Sequence, residues 1–232
     1  MGFYFNRIYN PVYDFIVGQN APYHRLQETC IEKLELVDSD RLLCAGVGTG
    51  NEILRILKMK PNVQIIGIDT SSTALHKAER KALKQGKKIE TRLMDVQNIK
   101  LEDASFDKIL CVHVIDFVPD YTKAVSEIMR VLKPGGKFAI TFPSGREDFS
   151  FGVSVVGNAI REHIKAKKFG KVFLTMVSTL VATFVYFPFL FRKTRRYYKR
   201  NEIEELFLGI SKGSLKLEDF PIYSDFIVYG GK

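Results

Sequence analysis

The residues best suited to chemistry form one short run and a few single positions downstream. Gly46, Gly48 and Gly50 recur at every second place in A-G-V-G-T-G-N. Glycines so spaced let a chain turn tightly and let its backbone approach a ligand, and a helix that follows aims free N–H groups at a carboxylate or phosphate. A dinucleotide fingerprint asks for its third glycine at position 51, which is Asn51 here, so a nicotinamide cofactor is disfavoured. Asp69 closes the next apolar run, where a carboxylate can accept hydrogen bonds from both hydroxyls of a ribose. Its alternative is to cap the following helix, although Thr70, Ser71 and Ser72 can each do that. Asp95, past a third run, is placed to accept from an adenine amine, or is an ordinary turn residue. His113 and Asp116 follow a fourth run and are the candidates for general base, with a packed core histidine as the alternative for His113.

The elements that must hold these residues follow from apolar periodicity. Strand patterns cover Arg41–Cys44, Val63–Ile68, Ile89–Met94, Phe106–Val114 and Lys137–Phe142, and helical patterns cover Glu52–Met59, Ser71–Gln85 and Tyr121–Leu132. Pro134, Gly135 and Gly136 read as a turn. Two helical stretches, Phe3–Val17 and Tyr23–Leu36, precede this series. A helix over Asn201–Leu208 and strands over Leu215–Tyr223 and Phe226–Tyr229 end it. Strands alternating with helices imply an α/β fold with a doubly wound, mostly parallel sheet of seven strands.

The segments L-L-C-A-G-V-G-T-G-N, I-I-G-I-D-T-S-S-T-A-L-H-K-A, M-D-V, S-F-D-K-I-L and R-V-L-K-P-G-G-K-F stand in this order between about residues 38 and 142. Together they resemble the class I S-adenosylmethionine-dependent methyltransferases, and within them the branch of ubiquinone/menaquinone and phosphatidylethanolamine methyltransferases. The resemblance implies a Rossmann-like fold with S-adenosyl-L-methionine as cofactor. It implies that Ala45, Gly46, Gly48 and Gly50 cradle the cofactor's methionine part, that Asp69 with Thr70 meets the ribose, and that Asp95 with Val96 meets the adenine. Val112 and His113 would lie under the sulfonium and adenosyl group. Tyr9 and Tyr13, on a helix resembling a lid, would orient the acceptor or bind the cofactor; as aromatics at helical spacing, core packing is their alternative. Cys44 is a departure, standing where the family usually has Asp or Glu, so an acidic contact near the cofactor's amino group is missing or is supplied by another residue.

Residues 172–191 carry no charge, and basic clusters flank them. Between Arg161 and Arg200 eleven Lys and Arg stand against Glu162 alone, so the chain's net charge of +9 belongs to this segment. About twenty apolar residues are the usual length of a membrane span. A span would strand the last helix and strands on the far side of the membrane, and basic flanks at both ends give no inside–outside asymmetry. Thr175, Ser178, Thr179, Thr183 and Tyr186 recur at helical steps and mark a weakly polar stripe. A helix lying on an anionic membrane surface through residues 161–200 is therefore expected, with a buried helix over the active site as the alternative.

One domain over residues 1–232 results. It comprises a helical lid (1–37), a cofactor-binding core (38–143), a helical membrane- or substrate-facing insertion (144–200) and a helix with two strands completing the sheet (201–232). Cys30, Cys44 and Cys111 lack the paired spacing of zinc sites and disulfides, so no metal is expected. The first residues lack the basic-then-apolar order of a secretory signal, and Asn6 does not suit a myristoylation site, so a cytoplasmic protein peripheral on the membrane's inner face is expected. The expected reaction is methyl transfer to a lipophilic acceptor, a phospholipid headgroup or a quinone-type precursor. An RNA or soluble small-molecule methyltransferase and a non-catalytic membrane-binding module are the alternatives. Nucleic acid is disfavoured by the long uncharged run between the basic clusters.

Overall fold

The computed structural model of the protein describes residues 8, 10–18, 20–60, 62–145, 149–190, 196–208 and 214–232, without the side chains of 149–152, 154–155 and 186–190. Tyr9, and Arg192, Lys193 and Arg195 of the second basic cluster, lie outside the described residues.

The order is α1 (Asn10–Gly18), α2 (Ala21–Lys33), β1 (Arg41–Ala45), α3 (Asn51–Met59), β2 (Gln64–Asp69), α4 (Ser72–Lys84), β3 (Glu90–Leu93) and β4 (Phe106–Cys111). After a 3-10 turn (Ile115–Phe117) come α5 (Tyr121–Val131), β5 (Leu132–Pro143), α6 (Phe149–Lys165), α7 (Phe169–Leu190), α8 (Arg200–Leu208) and β6 (Leu215–Phe220). A second 3-10 turn (Pro221–Tyr223) leads into β7 (Asp225–Gly231). One seven-stranded sheet results, in the order β3-β2-β1-β4-β5-β7-β6. Strands β1 to β5 run parallel and β7 is antiparallel to both β5 and β6.

Strand order reverses between β1 and β4, which are themselves paired. In an open α/β sheet this reversal leaves a crevice outside the carboxyl ends of the strands, where ligands bind. One face of the sheet packs Leu43, Ile66, Ile109, Phe138 and Ile140 with α5 and α8. Its other face packs Leu42, Cys44, Leu110 and Ala139 with α2, α3 and α4.

The P-G-G run is not a turn between helix and strand. β5 begins at Leu132 and runs through it, with a register shift opposite Phe106 and Lys108. Gly135 takes φ +76, and a Cβ on Gly136 would press on Asp107 O at 2.9 Å, so glycine lets the strand bulge rather than break.

α7 packs against α6 and α1 with an unusual face inward. Thr175 and Ser178 are buried, whereas Phe169, Phe173, Met176, Leu180 and Phe184, at three- and four-residue steps, are 60–73% exposed. Inward hydroxyls tolerate this because each donates to a carbonyl of the preceding turn: Thr175 to Lys171 O at 2.8 Å, Ser178 to Thr175 O at 2.9 Å. Lys165, Lys167, Lys168 and Lys171 are exposed around the start of the same helix. Among the described residues no helix is long and apolar enough to cross a membrane.

Candidate active site

The glycine run turns from β1 into α3 with all three glycines in the left-handed region: Gly46 φ +73, Gly48 φ +51 and Gly50 φ +76. Two of them are locked by neighbours. A Cβ on Gly46 would collide with the Val114 side chain, and one on Gly50 would stand 2.7 Å from Ala78 Cβ. Gly48 differs, since nothing lies within 4 Å of where its Cβ would be. Gly50 is also the N-cap of α3 and supplies no side-chain cap; the Glu52 amide bonds its own carboxylate, and the other amides of that turn suit an anion.

Asp69, at the end of β2, binds this loop directly. Its Oδ2 accepts from Gly48 N–H at 2.8 Å and its Oδ1 from Ser71 N–H at 2.9 Å. The cap of α4 is Ser71, whose hydroxyl accepts from Ala74 N–H, so Asp69 is not needed for that task. Burial holds the Asp69 carboxyl above its ordinary value, against the opposing pull of the Ser71, Gly48 and Thr70 amides. A carboxylate has about four acceptor positions, so these three amides leave capacity for a hydroxyl.

α1 closes over the same loop through a polar clasp. Asp14 accepts from Thr49 Oγ1 at 2.6 Å and pairs with Lys81 of α4 at 2.6 Å, while Lys81 also donates to Asn51 Oδ1 at 2.7 Å. Asn10 donates to Ser71 and Thr73 hydroxyls at 3.0 and 3.1 Å, and Lys77 donates to the Asn10 carbonyl.

Across the crevice, His113 follows β4 with φ +54, a left-handed conformation that costs a non-glycine residue roughly 1–2 kcal/mol. Three contacts hold it. Its backbone N–H donates to Thr141 Oγ1 at 2.9 Å, its Nε2 lies 2.8 Å from Asp225 Oδ2, and its ring meets Tyr23 and Tyr223 edge-on at 5.2 and 5.0 Å. Tyr13 reaches this group through its hydroxyl, 3.3 Å from that of Tyr23. Val114, the next residue but one from Val112, packs on Gly46, so the His113 cluster adjoins the glycine loop.

The other sequence candidates are placed separately. Asp116 is buried in the first 3-10 turn, where its charge bears on Cys111 and Tyr198. Asp95 is exposed, and both of its oxygens accept from the Gln97 side chain while Oδ1 also takes Gln97 N–H at 2.8 Å. Val96 is buried beside it, Ala45 is buried at the end of β1 and Thr70 is exposed. Cys44 is buried, and burial first, then the charge of Glu52, pushes its thiol well above the usual range. Sequence reading missed Asp225, Tyr23, Tyr223, Glu52 and the Asp14–Lys81 pair. Asp225 did carry a signal, as an acid heading an otherwise apolar final strand.

The chain is similar to known methyltransferases. A family described as "Methyltransferase domain" matches residues 43–140. The chain is 32% identical over 127 residues to the uncharacterized methyltransferase YdaC of Bacillus subtilis (strain 168), covering 54% of this chain and 68% of that one. It is 31% identical over 146 residues to the ubiquinone biosynthesis O-methyltransferase of Xanthomonas axonopodis pv. citri (strain 306), covering 60% of this chain but only 59% of that relative's length. A crystal structure of a SAM-dependent methyltransferase from Thermotoga maritima superimposes with a TM-score of 0.61 at 21% identity, covering 100% of both chains. With the strand order, the glycine turn and the acid at the end of β2 in place, the chain belongs to the methyltransferases.

Proposed function

We propose that the protein methylates a hydroxyl oxygen of a lipophilic, quinone-type acceptor that it takes from an anionic membrane surface. The observation that carries this reading is the His113–Asp225 pair at the strand ends, walled by Tyr23 and Tyr223. In this reading the loop of Gly46, Gly48 and Gly50 and the uncapped start of α3 take the methionyl carboxylate, Asp69 with Thr70 takes the ribose, and Asp95 with Val96 borders the adenine. The open space at Gly48 and the remaining acceptor position of Asp69 fit that ligand.

When bound, the cofactor supplies a methyl group on a cationic sulfonium. The protein's part is to align the acceptor oxygen in line with that methyl, exclude water and accept the acceptor's proton. His113 takes the proton, and the adjoining Asp225 carboxylate stabilises the resulting imidazolium. The edges of the aromatic wall and Tyr13 position a planar ring. α1, clasped through Asp14 to Thr49 and Lys81, covers the loop as a lid within residues 1–37.

Membrane delivery is supported by α7. Five large apolar residues stand outward in one stripe beside exposed Lys165, Lys167, Lys168 and Lys171. Outward apolar side chains would enter the acyl boundary while each lysine near an anionic surface contributes about 1 kcal/mol. The activity for which the Xanthomonas relative is named, O-methylation in ubiquinone biosynthesis, agrees with an aromatic hydroxyl acceptor. The test is methyl transfer from labelled cofactor to a tailed catechol in anionic vesicles, compared with transfer to phosphatidylethanolamine in the same vesicles. Labelled catechol supports the reading, and labelled phospholipid with unmodified catechol contradicts it.

A further inference from the structure

The cofactor's methionyl end carries an ammonium as well as a carboxylate, and an ammonium taken out of water needs an anionic acceptor. Three carboxylates surround the glycine loop. Asp14 is held by Lys81 and Thr49, and Asp69 by the amides of Gly48 and Ser71. Glu52, in the first turn of α3, is the third. Its Oε2 accepts from Gln27 Nε2 at 3.5 Å, the outer limit of such a bond. Gln27 is itself buried and fixed by Arg55, whose Nε donates to Gln27 Oε1 at 3.3 Å. The Glu52 backbone amide also bonds this carboxylate, so Gln27 and that amide aim it and still leave acceptor positions for a cation. Cys44, the last residue but one of β1, is buried close enough for the Glu52 charge to bear on its thiol.

We propose that Glu52 receives the ammonium of the cofactor's methionyl group, supplying from α3 the acidic contact that Cys44 does not provide from β1. The proposal rests on the loop being the cofactor's seat. Two further properties suit the task. Glu52 retains some accessible surface, as a side chain opening onto a crevice must. Surrounding protein nevertheless desolvates it enough to push its carboxyl up to about 7, so the carboxylate form is held in reserve for a cation. The bond from its own backbone amide, then Lys81 and Arg55, pull that value down, and Asp69 pulls it up. From the packed elements the other charged or titratable groups near it are Glu28 on α2, Asp14 on α1 and Cys111 on β4.

The experiment is calorimetry of the full chain with two nucleosides. S-adenosylhomocysteine keeps the amino-acid end, and 5′-methylthioadenosine lacks it. Glu52→Gln is expected to weaken the first on the order of 10- to 100-fold, the range of a lost charge-assisted hydrogen bond, and to leave the second unchanged. Cys44→Asp added to Glu52→Gln is expected to recover part of the loss. In the parent protein, affinity for S-adenosylhomocysteine relative to 5′-methylthioadenosine should rise about tenfold from pH 6 to pH 8, as a carboxyl near 7 ionises. That comparison needs no variant to fold, and it cancels titration of Asp69, which would act on both probes through the ribose. Equal losses on both probes, no loss on either, or a flat ratio with pH would overturn the assignment of Glu52. A parent protein that binds neither nucleoside would overturn the cofactor seat and this assignment with it.

Discussion

His113 Nε2 and Asp225 Oδ2 lie 2.8 Å apart although 112 residues separate them in the chain. His113 leaves β4 and Asp225 opens β7, and the two meet across the end of β5, where Pro143 pairs with Asp225 and Thr141 holds the His113 amide. Joining three strand ends fixes the imidazole beside the glycine loop.

If this pair moves the acceptor's proton, His113→Ala should lower kcat by about 10²–10⁴-fold, the usual weight of a general base. Asp225→Asn should lower kcat less, since the ring remains but its positive form loses a partner. Neither change should alter cofactor affinity measured by calorimetry by more than a few-fold. Parallel loss of cofactor binding in both variants would assign the pair to the cofactor pocket instead.

The three glycines should separate by role. Gly46→Ala forces a Cβ into Val114 at φ +73, so thermal unfolding should show a loss of stability of about 1–3 kcal/mol. Gly48→Ala meets no neighbour, so its stability cost should be confined to the roughly 1–2 kcal/mol of a left-handed alanine, while its methyl enters the crevice and weakens cofactor binding. Asp69→Ala should weaken the cofactor by about 1.5–3 kcal/mol through lost charge-assisted bonds. Unchanged affinity in both Gly48→Ala and Asp69→Ala would remove the loop from the site.

Glu52 also makes a stability prediction without ligand. Its folded carboxyl titrates near 7 against 4.5 in its ordinary state, so an unfolding chain releases a proton between those values. Stability from this group is therefore present below about pH 4.5, falls as pH rises to 7 and is flat above. Glu52→Gln should raise the Tm relative to the parent at pH 8 and leave it nearly unchanged at pH 4. A Tm advantage of the same size at both pH values would show that packing, not ionisation, is responsible.

The outward stripe of α7 should act apart from the catalytic core. Phe173→Ser with Phe184→Ser should reduce co-sedimentation with anionic vesicles in a way that salt does not mimic, because apolar area is lost. Replacing Lys165, Lys167, Lys168 and Lys171 by Gln should reduce it as salt does, because screening acts on the same charges. Calorimetric cofactor affinity should hold in both. A parent protein that ignores anionic vesicles at low salt would contradict the membrane part of the proposal.

The sheet and its glycine turn were legible because their signals are local. Strand, G-x-G-x-G and helix follow within about twenty residues, and the acid after β2 stands at a fixed distance. The His113–Asp225 pair was not legible, since it depends on β7 returning antiparallel beside β5, a pairing that no spacing encodes. Strand ends were overrun for a related reason: the apolar run of β4 continues to Val114, but the chain leaves the sheet at Cys111 to enter a 3-10 turn. For α7 the sequence showed a polar stripe without its direction. Hydroxyls that donate to their own helix can face inward, so apolar residues at the remaining steps turn outward. Cys44 hid Glu52, because the two stand on different elements and meet only when α3 folds over the end of β1.

Methyl transfer to a lipophilic hydroxyl at this site is measured most directly with the full chain, labelled S-adenosylmethionine and anionic vesicles containing a tailed catechol. Mass spectrometry of the extracted lipid should show catechol gaining one methyl group with the parent protein, a rate lower by about 10²-fold or more with His113→Ala, and little product from an untailed catechol in solution. Cofactor binding without methylated catechol, or an undiminished rate with His113→Ala, would contradict the account.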